Sequence, residues 1–132
     1  MPARFFVDEN DLALGKLLAE QYGDVVYPGH DDLPQVPRGA LDDDWLPIVG
    51  QRRLVVITRD QRSRYRNAEK QAWVEHGVLG FVLTGRRSQT TADSLAIVQL
   101  HWAKIVLLVS AGPQGPWMHA VTGSGLRAIE LG

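Results

Sequence analysis

The chain has 132 residues, a length that predicts a single domain over 1–132, and its 45% hydrophobic and 22% charged residues rule out disorder throughout. Cysteine is absent, which excludes disulfides, zinc–thiolate sites, iron–sulfur clusters and thiol nucleophiles. The formal net charge of -1 hides an asymmetry: residues 1–44 carry ten acids against three basic residues, while residues 45–132 carry eleven basic residues against five acids. A fold that brings the two halves together sets a cation-binding pocket beside a polyanion-binding wall.

Carboxylates follow the apolar Phe5-Phe6-Val7 too soon for a secretory leader, and the apolar run Ala103–Ala111 is too short to span a bilayer. A soluble, cytoplasmic protein is the expectation.

In chain order, Arg4–Val7 reads as a short buried strand. Asn10 or Asp11 caps a helix through Tyr22, with Leu14, Leu17, Leu18 and Tyr22 on one face. Val25–Tyr27 is a second strand, and Pro28, Gly29, Pro34, Pro37 and Gly39 make 28–41 an irregular loop. Asp42-Asp43-Asp44 opens a helix that Gly50 is expected to end; Pro47 ties its start to these aspartates. Leu54–Thr58 is the clearest strand, by its β-branched content. A helix over Ala68–His76 closes at Gly77, Gly80–Leu83 is a fourth strand, and a long helix runs from Thr90 or Thr91 towards Val109 with Leu95, Val98, Trp102, Ile105 and Val109 on one stripe. Trp117–Thr122 and Leu126–Leu131 flank Gly123-Ser124-Gly125 as a terminal hairpin. The alternation predicts an α/β fold, a three-layer α/β/α sandwich on a mostly parallel sheet.

Reactive groups in such sheets gather at the carboxyl ends of strands. Asp8 follows the first strand, Asp60 follows the third, and Asp42 opens the helix between them, so all three are expected to surround one small volume, with Glu9, Asp43 and Asp44 nearby. Carboxylates so placed repel one another unless protons or a cation neutralise them. Hard oxygen donors without Cys or His spacing favour Mg²⁺ or Mn²⁺. Arg59, Arg62, Arg64, Arg66 and Lys70 are candidates to hold an RNA backbone, because guanidinium forks match phosphate geometry. Tyr65 and Trp45 offer faces on which an unpaired base can stack, and Thr58 and Asn10 are candidates to support the metal acids through hydrogen bonds. The scattered His30, His76, His101 and His119 have no ligand spacing, and Trp73 and Trp102 fit apolar helix patterns.

Three ordered pieces, Phe5-Phe6-Val7-Asp8-Glu9-Asn10, Asp42-Asp43-Asp44-Trp45-Leu46, and Val56-Ile57-Thr58-Arg59-Asp60 followed by Arg62, Arg64, Arg66 and Glu69, resemble the PIN-like domains related to VapC-type toxins of bacterial toxin–antitoxin pairs. The resemblance implies a PIN-like fold and a Mg²⁺- or Mn²⁺-dependent endoribonuclease restrained by a cognate antitoxin protein. By position, Asp8 matches the first metal acid, Asp42 the helix-start acid and Asp60 the strand-end acid. Many such domains carry a further acid just beyond the Thr-Arg-Asp, where this chain has Gln61, Arg62 and Ser63. Glu9 or Asp43 is the available substitute, and one metal or two remain open. Two other readings fit the residues. A receiver-like phospho-accepting domain would use Asp8-Glu9, Asp60 and Thr84, against which Lys104, the only late lysine, falls inside a helix rather than at a strand end, and a PIN-like module could bind RNA without cleaving it. Apolar residues of the terminal hairpin allow a homodimer interface.

Overall fold

The computed structural model describes residues 2–60, 66–85, 89–112 and 114–131. Strands β1 (Phe5–Val7), β2 (Val25–Val26), β3 (Val55–Thr58), β4 (Leu79–Leu83), β5 (Trp117–Thr122) and β6 (Gly125–Ile129) form one six-stranded sheet in the order β2-β1-β3-β4-β5-β6. All neighbours pair in parallel except β5 and β6, which form the expected antiparallel hairpin with Thr122 opposite Gly125. The helices described are α1 (Leu12–Gln21), α2 (Asp42–Arg52), α3 (Asn67–His76) and α4 (Thr91–Ser110), with a single 3-10 turn at Glu9–Asp11.

From β1 to β4 the sheet is buried on both faces, which is why these strands read as continuous apolar runs rather than alternating ones. On one face Phe6, Val56, Val82 and Met118 meet Trp45, Leu46 and Val49 of α2 and Trp73 of α3. On the other, Phe5, Val7, Ile57 and Phe81 meet Leu14 and Leu18 of α1 and Val98 and Ile105 of α4. Trp73 is a core residue, as its pattern predicts; Trp102 lies at the margin, stacked on Tyr22 at 4.0 Å and tilted against Phe5 at 4.9 Å. His101 completes the buried stripe of α4, its Nε2 2.7 Å from the Thr122 carbonyl oxygen.

Helix ends follow local chemistry. Thr90 caps α4: its hydroxyl accepts the Asp93 N–H at 3.1 Å, and the Asp93 carboxylate accepts the Thr90 N–H at 3.0 Å. Asp44 does the same for α2, accepting the Leu41 N–H at 3.1 Å. Gly50, the expected stop, instead lies inside α2, which continues to Arg52 and ends with Arg53 in the left-handed region at φ 56°. The reason for a glycine there is tertiary: an added Cβ would overlap the His76 carbonyl oxygen, well inside van der Waals contact, so α2 and α3 pack closely only because position 50 lacks one. Pro47 sits in the second turn, within the helix.

At 20 residues and a mean hydropathy of 1.5, α4 has the length and composition of a bilayer span, which the apolar run Ala103–Ala111 by itself does not; here one face of it covers the sheet. The hairpin turns its apolar residues inward, with Val121 buried and Leu126 packed beside it, whereas the exposed leucines Leu100 and Leu107 lie on α4. Apolar residues of the hairpin thus take part in the core.

Candidate active site

The carboxyl ends of β1 and β3 and the amino terminus of α2 meet at one edge of the sheet, because a helix returning over a parallel sheet brings its amino end back to that edge. There a cavity of about 160 Å³ is lined by Asp8, Asp42, Asp43, Thr58, Asp60 and Glu69, over an apolar floor that includes Trp45, Leu46 and Trp73. A second cavity of about 390 Å³ opens from the other side of Asp8 and Asp42 and adds Glu9, Asn10, Gly39, Ala40 and Leu41. Asp8, Asp42 and Asp60 thus share one space, with Asp43 beside them, while Glu9 and Asn10 face the adjoining one.

The three acids do not close on a common point. Among the described residues, no group of three Asp, Glu or His side chains stands close enough to hold one metal ion directly. Positions 8, 42 and 60, expected around one small volume, stand as a ring of acids around one cavity. Such an arrangement still matches the chemistry of Mg²⁺, which keeps several of its waters and takes only one or two carboxylates directly.

Asp8 dominates the electrostatics. Its side chain is buried, and burial first, then the charges of Asp11, Asp42 and Asp60, push its carboxyl well above the usual 3.8. The Thr58 side chain opposes this shift through a hydrogen bond to Asp8, and Thr58 Oγ1 also accepts the Asp60 N–H at 3.0 Å, so one strand-end hydroxyl links two of the acids. Among the described residues, Asp8 Oδ1 is buried with no hydrogen-bond partner, as are Glu9 Oε2 and Glu69 Oε2. Orphaned carboxylate oxygens at a cavity wall are what a hard cation would satisfy. Asp42 is held in place by Trp45, whose indole Nε1 donates to Asp42 Oδ1 at 3.1 Å while its ring tilts against Phe6 at 4.9 Å. That contact corrects the expected use of Trp45 as a stacking platform: its side chain is buried under the cavity.

Two acids escaped the sequence. Asp11, read as a helix cap, makes no capping bond; its carboxylate accepts the Arg59 N–H at 2.8 Å and lies 3.5 Å from Arg59 Nε. Burial raises the Asp11 pKa, with Arg59 acting against that shift. Glu69, in the first turn of α3, lines the acidic cavity and adds an acid that Gln61, Arg62 and Ser63 do not supply by their identity. The usable signal was the one that singled out Asp42: an acid in the first turn of a helix that starts at the strands' carboxyl edge.

The basic residues divide. Arg59 is occupied internally by Asp11 and by the Gln89 carbonyl oxygen, to which its Nη2 donates at 2.7 Å. Arg66 is exposed at the start of α3, 4.0 Å from Glu69, whereas Lys70 lines a separate groove with Asn67, Val74 and Glu130. Arg62, Arg64 and Tyr65 lie outside the described residues. Lys104 is exposed on α4, away from the acids.

A family model described as PIN like domain matches residues 3–85, more than half of the chain and the whole span from β1 to β4. The chain belongs to the PIN-like domain family. The match includes Asp8, Asp42, Asp60 and Glu69 together with the loop and helices that hold them. No curated relative and no solved structure matches the chain. A PIN-like domain is a nuclease-type fold, and the sheet described above has the mostly parallel α/β/α form expected of one.

Proposed function

We propose that this PIN-like chain is a Mg²⁺- or Mn²⁺-dependent endoribonuclease of the cytoplasm and the toxin half of a toxin–antitoxin pair. The observation that carries the reading is the buried Asp8 Oδ1, without a hydrogen-bond partner among the described residues, at a cavity whose other carboxylates are Asp42, Asp43, Asp60 and Glu69. So much negative charge in so little space calls for a compensating cation. One or two of Asp8, Asp42 and Asp60 would hold it directly and the others through its bound waters, with Glu69 a better candidate than Glu9 or Asp43 for the further acid. A divalent ion there supplies Lewis-acid stabilisation of a phosphodiester and a water activated for attack.

The chain's own residues do the rest. Thr58 orients Asp60 and Asp8, and Trp45 fixes Asp42. Arg66 is exposed at the start of α3, close to Glu69, where an RNA backbone can meet its guanidinium. The toxin assignment rests on the ordered resemblance of the three acid-bearing pieces to VapC-type domains. A partner antitoxin would act by placing a basic side chain among these acids.

Purified protein incubated with single-stranded RNA is expected to cleave it with Mn²⁺ or Mg²⁺, to stop in EDTA, and to lose cleavage in Asp60→Asn. RNA retained in a salt-sensitive way but left intact at every divalent concentration would favour a binding module without turnover.

A further inference from the structure

Arg59 carries the charge and the place in sequence of an RNA contact, yet the structure spends it elsewhere. Alternation at the end of β3 sends Thr58 and Asp60 to the acidic cavity and Arg59 away from it. There Arg59 meets Asp11, whose side chain is only 3% exposed and which lies 48 positions earlier in the chain. The two Asp11 oxygens engage Arg59 separately: Oδ2 accepts the backbone N–H at 2.8 Å, and Oδ1 lies 3.5 Å from Nε. Arg59 Nη2 reaches a third element, donating to the Gln89 carbonyl oxygen at 2.7 Å just before α4. The turn carrying Asp11 is itself closed by the Asp11 N–H donating to the Asp8 carbonyl oxygen at 3.0 Å.

We infer that the Arg59–Asp11 pair is a positioning device for the proposed metal cavity and not part of the RNA-binding surface. The inference rests on the nuclease reading and names two residues that act on it from behind. Asp60 follows Arg59 directly and Asp8 lies three residues before Asp11, so the pair fixes from the far side the two strand ends that bear the metal acids. A carboxylate that bonds both the backbone and the side chain of one residue fixes the strand-end peptide as well as its position, and thereby the direction in which Asp60 leaves the strand. The pair also offsets part of a buried charge. Asp11 shares a side-chain hydrogen bond with Asp8, and its charge bears on Asp8. Arg59 sets its own positive charge against Asp11 and so weakens that repulsion.

The test compares wild type with Arg59→Ala, Arg59→Lys and Asp11→Asn by Mn²⁺ titration, followed through the resonance of the free ion, and by steady-state RNA cleavage at two salt concentrations. Residues that support metal ligands cost about tenfold or more in metal affinity when removed. Arg59→Ala and Asp11→Asn are each expected to weaken Mn²⁺ binding by about that factor and to lower kcat, with KM for RNA and its salt dependence unchanged. Arg59→Lys, which keeps the charge but not the fork, is expected to recover part of kcat. Should Arg59→Ala fail to fold because Asp11 is stranded, the neutral pair Arg59→Gln with Asp11→Asn keeps hydrogen-bonding groups at both places, and the same loss of Mn²⁺ affinity and kcat is expected of it. A rise in KM with a shallower salt dependence and intact Mn²⁺ affinity in the Arg59 variants would make Arg59 an RNA contact and overturn the inference while the nuclease reading stands. Unchanged Mn²⁺ affinity and kcat in both single variants would overturn it equally. A wild-type protein that binds no Mn²⁺ and cleaves no RNA would overturn both readings.

Discussion

Replacing Asp8 with asparagine is expected to stabilise the metal-free protein, the opposite of what most buried polar substitutions do. Asp8 is 2% exposed, has a partnerless Oδ1, and faces the charges of Asp11, Asp42 and Asp60. Leaving a buried polar group unsatisfied costs about 1–3 kcal/mol, and more when the group is charged. Asparagine has nearly the same shape, keeps an acceptor for Thr58 and offers an N–H donor to the neighbouring carboxylates. A gain of about 2 kcal/mol at pH 7 in EDTA follows from that range. For a chain of this size the gain raises Tm by roughly 8 °C, at about 4 °C per kcal/mol. The sign with pH is set by the raised folded-state pKa. Wild type takes up a proton at Asp8 on folding, so the stability Asp8 contributes is full below the ordinary 3.8 and is lost as pH rises through the folded value. The difference between Asp8→Asn and wild type should therefore vanish near pH 3.8 and open as pH rises. Saturating Mn²⁺ should reverse the order, because only wild type gains the ligand's stabilisation, about 2.7 kcal/mol at a hundred times Kd. Thermal unfolding by circular dichroism across pH, with EDTA or Mn²⁺, measures all of this. An Asp8→Asn protein less stable than wild type at pH 7 in EDTA, or a difference independent of pH, would refute the reasoning.

Three other substitutions probe separate parts of the account. Gly50→Ala should lower stability by about 2 kcal/mol through overpacking against the His76 carbonyl, although helix propensity alone predicts a gain of nearly 1 kcal/mol; denaturant unfolding decides the sign. Trp45→Phe keeps the ring contact with Phe6 but removes the donor to Asp42, so it should cost about 1 kcal/mol of stability and lower kcat several-fold, read from unfolding and RNA cleavage on the same preparation. Glu69→Gln should weaken Mn²⁺ binding about tenfold, equivalent to roughly 1.4 kcal/mol, while leaving Tm in EDTA nearly unchanged, since Glu69 Oε2 has no hydrogen-bond partner among the described residues and the ion pair with the exposed Arg66 is long, at 4.0 Å.

The inner strands were legible because they are buried on both faces and so appear as uninterrupted apolar runs, as in Val55–Thr58. Once their parallel order was inferred, the rule that loops at the carboxyl edge carry chemistry singled out Asp8, Asp42 and Asp60, and the structure lines one cavity with all three. What the sequence hid depends on contacts between distant segments. Asp11 has the composition and place of a helix cap, and only the approach of the β3 end turns it towards Arg59. Gly50 looks like a helix stop because a glycine tolerates the left-handed region; Arg53 takes that conformation instead, and Gly50 serves the crossing of α2 and α3. Trp45 looked like an exposed aromatic beside three aspartates, but its helix face is set by Leu46 and Val49, which draw it into the core. The count of acids in the site was also blurred, because Glu69 joins it through the start of a helix rather than through a strand end.

The central claim is that the acids at the carboxyl edge of the sheet hold a divalent cation. Crystals soaked in Mn²⁺ and measured near the manganese absorption edge test it directly. The account predicts an anomalous peak inside the cavity lined by Asp8, Asp42, Asp60 and Glu69, within bonding distance of Asp8 Oδ1, and its loss in Asp8→Asn. A map with no peak there at saturating Mn²⁺, or with manganese bound only at surface carboxylates such as Asp31 and Asp32, would contradict it.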